Sequence, residues 1–268
     1  MQNENVYTLH KPSYHNFEKR RVYVHHADEQ WQADLVDMQK YKKANDKTNY
    51  ILTVIDCFSK YAWCVPLKDK TGSEIINAFI HIFKERIPKK LQTDKGKEFV
   101  MRNVQTFLKN NNIHWFTSES ELKAQIVERF NRTLKEKLWK YFTHNNTNKW
   151  VDILPLFVSN YNNSYHRSIQ MKPIDASKKV NQEKVYNALF PPVDDYKTAG
   201  YYKVGDLVRI KKEKSIFDKG YLPNYTNEVF QIATVRPTTP ITYELSDKNG
   251  ELIRGGFYEK ELSKVIIK

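Results

Sequence analysis

Cysteine is scarce: the 268 residues hold two, Cys57 and Cys64. That excludes a disulfide scaffold and fits a reducing, intracellular setting. Their spacing does not match a usual zinc ligand pair, and both lie in strand-like apolar runs, so they read as packing residues. No run of about 18 apolar residues exists, which excludes a membrane-spanning helix. The opening stretch MQNENVYTLHKPSYHNFEKRR has no apolar core segment, and the expectation is no secretory signal. Internal repeats and low-complexity tracts are absent as well.

Positive charge, in contrast, is abundant. The formal net charge is +13 and the pI about 9.4, with lysines spread along the whole chain. Such a surface favours polyanions, nucleic acid above all, although a merely soluble basic protein would look the same by this measure. Aromatic residues make up 13% of the chain, enough for a globular core.

Residues 1–27 read as a basic, extended N-terminal arm. It carries EKRR at 18–21 and the histidines His10, His15, His25 and His26, with no cysteine pair to complete a zinc site. Three strands are predicted next: WQADLVDM, NYILTVIDCFS and YAWCVPLK, the last two a hairpin around Ser59 and Lys60. TGSEIINAFIHIFKERI is an amphipathic helix opened by a capping box of Thr71 and Glu74. KKLQTD is a short strand ending at Asp94, NVQTFLKNNN a helix and IHWFTS a strand. The order β-β-β-α-β-α-β implies a central sheet with helices on its faces.

A long helix follows over 123–142. Val127, Phe130, Leu134, Leu138 and Phe142 form its apolar stripe. Glu128, Asn131, Arg132 and Lys135 share a neighbouring polar face. NKWVDILPLFVSNYNNSYH is a further helix with Pro155 kinking it or seated in an early turn, and Pro173 opens another. The pattern breaks at 191–202, a linker rich in proline and paired aspartates. After it, residues 203–268 alternate like the short strands of a small β-barrel, with a turn at Asn249-Gly250.

Three acids stand out by order and context: Asp34 in the first strand, Asp94 at the end of the fourth, Glu128 in the long helix. Taken singly, each has an ordinary reading. Asp34 is then an exposed strand residue, Asp94 a turn residue and Glu128 a solvated helix charge. Taken together, three carboxylates from separate elements can hold hard cations. Two such ions about 3.5–4 Å apart clamp the attacking and leaving oxygens of a phosphodiester.

WQADLVDM, VIDCFSKYAW, QTDKGKEF and AQIVERFNRTLKEKLW in this order resemble the catalytic core of the retroviral-type integrase family, with the look of integrases from Maverick/Polinton DNA transposons. The resemblance covers roughly residues 28–265. It implies an α/β fold: an RNase H-like core with a mixed five-stranded sheet flanked by helices over 28–190, and an SH3-like or chromo-like β-barrel over 203–268. It implies catalysis and metal binding by Asp34, Asp94 and Glu128, with two Mg²⁺ or Mn²⁺ ions per site. DNA contacts are expected from Asn131, Arg132 and Lys135, and in the barrel from Arg209, Lys211, Lys212 and Lys214. The implied activity is 3′-end processing and strand transfer, with element-end DNA, target DNA and further copies of the chain as partners, in the nucleus if the source is a eukaryotic host or virus and otherwise intracellular. The spacing from Asp94 to Glu128 is slightly tighter than the retroviral one, SESELKAQ lacks the glycine of the retroviral loop, and the HHCC zinc module is absent. Two alternatives stay open: a domesticated DNA-binding protein that does not cut, and an RNase H-fold nuclease for RNA–DNA hybrids.

Other residues have duller expected roles. Asp56 serves a turn and Glu98 is a solvated loop charge. His114 and His166 could touch phosphate but are favoured as ordinary core or surface residues, and Trp31, Trp63, Trp115, Trp139 and Trp150 are favoured as core. Asp37 competes with Asp34, because residues three apart on a strand face opposite ways.

Overall fold

The structure is a computed structural model, and it describes all residues except 1, 15–16, 18–21, 118–123, 192–199, 213–218, 220, 239, 254 and 266–268. The chain forms two compact units. One comprises Val22–Pro192; the other joins Met1–Arg21 to Val193–Lys268. The expected arm 1–27 is thus divided. Val24 is buried with Phe58, Ile169 and Val185 in the larger unit, while residues 2–10 form a helix, α1 (Gln2–His10), in the smaller. The EKRR segment, most of the expected linker and Lys214 lie outside the described residues.

The larger unit is built on five strands: β1 (Gln30–Asp37), β2 (Tyr50–Asp56), β3 (Ala62–Leu67), β4 (Lys90–Thr93) and β5 (His114–Thr117). Their order is β3-β2-β1-β4-β5. The first three are antiparallel neighbours, while β4 joins β1, and β5 joins β4, in parallel. The helices are α2 (Gly72–Phe83), α3 (Lys97–Val100), α4 (Arg102–Asn110), α5 (Gln125–Asn145), α6 (Leu154–Asn162), α7 (Pro173–Ala176) and α8 (Gln182–Leu189). This is the RNase H-like architecture.

Strand alternation sorts the core onto two faces. From β1, Trp31 and Ala33 join Leu52 and Val54 of β2 in a cluster with Ile75 and Phe79 of α2 and Val104 and Leu108 of α4. Val36 and Met38 turn the other way, with Ile51 and Ile55, against the α5 stripe of Val127, Phe130, Leu134 and Leu138. Each of these buried side chains contributes roughly 1.5–3 kcal/mol relative to exposure, so α5 is held by its stripe more than by its own helix propensity. Pro155 occupies the first turn of α6, where a missing N–H costs nothing. The capping box on α2 is only half formed. Thr71 Oγ1 accepts from Glu74 N, but the reciprocal partner of Thr71 N is Asp69 Oδ1 at 2.8 Å. Trp31, Trp63 and Trp150 are core, as expected, while Trp139 is 42% exposed. Among the described residues no helix is long and apolar enough to cross a membrane.

In the smaller unit, β6 (Leu207–Ile210), β7 (Phe230–Arg236), β8 (Thr242–Ser246), β9 (Phe257–Tyr258) and β10 (Leu262–Lys264) make an antiparallel sheet in the order β10-β6-β7-β8-β9. Its core gathers Tyr202, Val208, Phe230, Ile232, Tyr243, Leu245 and Leu262. Gly250 has φ +83° in the expected turn, a conformation that favours glycine. The C-terminal end of α1 is tied to this unit: the Leu9 carbonyl accepts from Asn224 N at 2.8 Å and Tyr225 N at 3.2 Å.

Candidate active site

β1 and β4 run parallel with Gln32 opposite Gln92. Two residues further along each chain come Asp34 and Asp94. The parity of a strand puts Gln32 and Asp34 on one face, the face that meets α5. Gln32 Oε1 accepts from Ile126 N at 2.9 Å and Val127 N at 3.1 Å. These are orphan donors of the first turn of α5, whose N-cap, Ala124, has no side-chain oxygen to offer. Gln32 Nε2 donates to Gln92 Oε1 at 2.9 Å, and Gln30 Nε2 joins at 3.0 Å. A buried glutamine network thus docks the start of α5 onto the two strands. Sequence reasoning passed over Gln32 and Gln92, although their signal was present: each precedes one of the candidate acids by two residues.

Asp34 is half-buried, and its carboxylate is held from two sides. Oδ1 accepts from its neighbour Leu35 N at 2.8 Å, and Oδ2 accepts from Asn131 Nδ2 of α5 at 2.8 Å. Burial pushes its pKa above the ordinary carboxylate value, the Leu35 N–H opposes that, and the like charges of Asp94 and Glu128 push it further up. Asp94 and Glu128 are therefore each near enough to act on Asp34. Asp94 is exposed just beyond β4, its Oδ1 accepting from Gly96 N at 3.0 Å. A Cβ on Gly96 would lie 2.9 Å from that same Oδ1 and 2.9 Å from the Glu98 carboxylate, so a larger residue there would push both carboxylates aside. Glu128 is exposed in the first turn of α5. Asp37, also exposed, accepts from Gln39 N at the far end of β1.

Among the described residues no three His, Cys, Asp or Glu side chains close into a group that could enclose an ion. The donor set nonetheless suits a hard divalent cation. It offers carboxylate oxygens from three separate elements, two of which place like charge on Asp34, and a cation would offset that charge. Asn131 Oδ1 is also buried beside Asp34 without a hydrogen-bond partner, an acceptor left over at the edge of the cluster.

The expected DNA contacts divide. Arg132 and Lys135 are exposed on α5. Asn131 is corrected: at 5% exposure, with its amide on Asp34, it is turned to the acid and not to solvent. Arg209 is corrected too. It is 5% exposed, and its Nη1 donates to Thr226 O at 2.9 Å and to Asn227 O, because the chain around 224–227 folds over that side of β6. Lys211 Nζ donates to Tyr14 O at 2.6 Å, and Lys212 is half-exposed. Asp56 does more than make a turn. It is fully buried, accepts from Phe58 N and Ser59 N, and pairs with Arg86 Nη2 at 3.0 Å. His166 is partly buried beside Lys60 and Arg129. Burial, and then those two cations, push its pKa down to about 4.

Residues 24–121 match the integrase core domain family. An uncharacterised transposon-derived protein of Caenorhabditis elegans is 38% identical over 219 residues, covering 81% of this chain and 74% of that protein. The Gag-Pol polyprotein of woolly monkey sarcoma virus is 30% identical over 130 residues, 47% of this chain but 8% of the polyprotein. In three dimensions, a chain of the simian T-cell lymphotropic virus intasome superposes with a TM-score of 0.64 at 17% identity, covering 95% of this chain and 86% of that one.

Proposed function

The chain belongs to the retroviral-type integrase family, and from that premise we propose that it is a DNA integrase, trimming the 3′ ends of a mobile element and joining them to target DNA. The observation that carries this reading is the placement of Asp34. It is fixed by Asn131 on the buried face of β1, within reach of the charges on Asp94 and Glu128.

Both steps are displacements at a phosphodiester, with water as the first nucleophile and the freed 3′-OH as the second. Asp34, Asp94 and Glu128 would hold two Mg²⁺ or Mn²⁺ ions, and bound there the ions supply Lewis acidity for the attacking and leaving oxygens. The rest falls to this chain's own groups. Asn131 fixes the Asp34 carboxylate in one orientation. Gln32 sets the start of α5 and with it the height of Glu128 above the sheet. Arg132 and Lys135, exposed on the same helix, grip phosphates of the element end and steer its terminus toward the acids. No serine or tyrosine nucleophile is involved, and joining two ends calls for more than one copy of the chain.

Glu128→Gln keeps the shape and removes a charge. End processing and strand transfer should fall by at least 100-fold while duplex binding stays within about twofold. Near-normal strand transfer by this variant would remove Glu128 from the mechanism and the reading with it.

A further inference from the structure

The glutamine network behind the acids has a polarity that its partners dictate. Ile126 N and Val127 N, at the start of α5, can only donate, and both are taken by Gln32 Oε1. Gln32 must then turn its Nε2 the other way, toward β4. There it meets Gln92 Oε1 at 2.9 Å, and Gln30 Nε2 meets the same oxygen at 3.0 Å. Gln92 Oε1 is thus an acceptor shared by two side-chain amides. All three glutamines are buried, where water is poorly placed to stand in for a lost partner.

This relay crosses every element that carries an acid. Gln92 lies two residues before Asp94 on β4, Gln32 two before Asp34 on β1, and Ile126 two before Glu128 on α5. The backbone pairing of β1 with β4 ends at the rung of Gln32 and Gln92, so Asp34 and Asp94 stand just beyond the last rung, where the two strands are free to part. Asp94 and Glu128 are themselves exposed. Asn131 fixes Asp34 alone. Among the described residues, β4 and the start of α5 are joined by side-chain hydrogen bonds only through Gln92 and Gln32.

We infer that Gln92 is a positioning residue that sets the gap between Asp94 and Glu128, and through that gap the divalent ion that the acids accept; this rests on the integrase reading above. Mg²⁺ demands a near-ideal octahedron of oxygens and gives up its waters reluctantly. Mn²⁺ is larger, exchanges its waters faster and tolerates a looser set. Acids held at one spacing by a buried relay suit the first ion. Acids on a strand and a helix that drift apart retain use of the second.

The test compares the full chain with Gln92→Met, which keeps the length of the side chain and removes the acceptor, and with Gln92→Glu, which keeps an acceptor for both amides. Gln92→Asn, polar but one methylene short, serves in place of Gln92→Met should that variant fail to fold. Val104→Ala, a buried site on α4 outside the relay, controls for general destabilisation. Three quantities are read: hydrogen exchange over residues 124–131, the melting shift produced by Mg²⁺ and by Mn²⁺, and the strand-transfer rate with each ion. Gln92→Met should speed exchange of the Ile126 and Val127 amides by about tenfold, as expected for one buried donor left unpaired, although Gln92 touches neither. It should lower the ratio of the Mg²⁺ rate to the Mn²⁺ rate by about tenfold, and shrink the Mg²⁺ melting shift while keeping that of Mn²⁺. Gln92→Glu should keep the slow exchange, and Val104→Ala the rate ratio of the full chain. Unchanged exchange or an unchanged ratio in Gln92→Met would overturn the inference. So would fast exchange in Gln92→Glu, or a ratio lowered equally by Val104→Ala, since the effect would then be one of stability alone. A full chain without divalent-dependent cleavage or joining would take down the integrase reading, and the exchange and melting shifts would still decide the role of Gln92.

Discussion

Asn131 Nδ2 lies 2.8 Å from Asp34 Oδ2, joining the second turn of α5 to the middle of β1 across 97 positions of sequence. The same amide leaves its oxygen buried without a partner. Asn131 is thereby a positioning residue for the acid, and its neighbours Arg132 and Lys135 keep the exposed side of the helix.

Asn131→Ala should lower end processing by at least tenfold and leave duplex affinity within about twofold, because it frees the Asp34 carboxylate without touching exposed charge. Arg132→Ala should do the opposite, weakening duplex binding and reducing its salt slope by about 0.9. Parallel activity and anisotropy measurements separate the two. Equal loss of affinity in both variants would return Asn131 to the DNA contacts.

Asp34→Asn should abolish the chemistry and at the same time stabilise the fold. The folded-state pKa of Asp34 is raised, first by burial, and then by Asp94 and Glu128. The native state therefore binds the proton more tightly than the unfolded chain, and stability declines as pH rises through the interval between the two values. Removing the charge relieves this at pH 7 and should raise the Tm. The gain should shrink as pH falls toward the carboxylate range. Asp37→Asn, exposed on the opposite parity, should change neither property appreciably. Melting curves without added divalent ions at pH 7 and pH 4.5 check both.

Arg209→Ala should destabilise the smaller unit and leave the salt slope of duplex binding unchanged. It strands the carbonyls of Thr226 and Asn227, at a cost of about 1–3 kcal/mol. Denaturant midpoints report the first effect and anisotropy the second. A slope reduced by about one unit would instead make Arg209 a phosphate contact.

His166 should give the larger unit an acid-side instability. Its pKa is depressed to about 4 from 6.5 by burial and by Lys60 and Arg129. The unfolded chain thus binds the proton more readily, and stability rises with pH across that interval and is lost as pH falls through it. His166→Gln should flatten the dependence of the urea midpoint on pH between about 4.5 and 6.5. An unchanged dependence would assign that window to other groups.

The local periodicities were legible from the amino-acid sequence alone. Alternation in WQADLVDM placed Asp34 and Asp37 on opposite faces, and the stripe from Val127 to Phe142 marked the buried side of α5, since strand and helix repeats are properties of neighbouring residues. The family, too, was readable from four short motifs, and residues 24–121 match it.

The border residues were decided only by tertiary structure. Asn131 and Arg132 adjoin on one polar face of α5, and periodicity cannot say which meets the sheet. The docking of that helix through Gln32 turned Asn131 inward and left Arg132 in solvent. Arg209 alternates out of the core of β6 as a surface cation should, yet a segment seventeen positions later in the chain closes over it. Residues 1–27 read as an arm because their apolar content is low, but Leu9 meets its hydrogen-bond partners at Asn224 and Tyr225. In each case the deciding contact is made by a segment distant in sequence, and no local pattern carries its position.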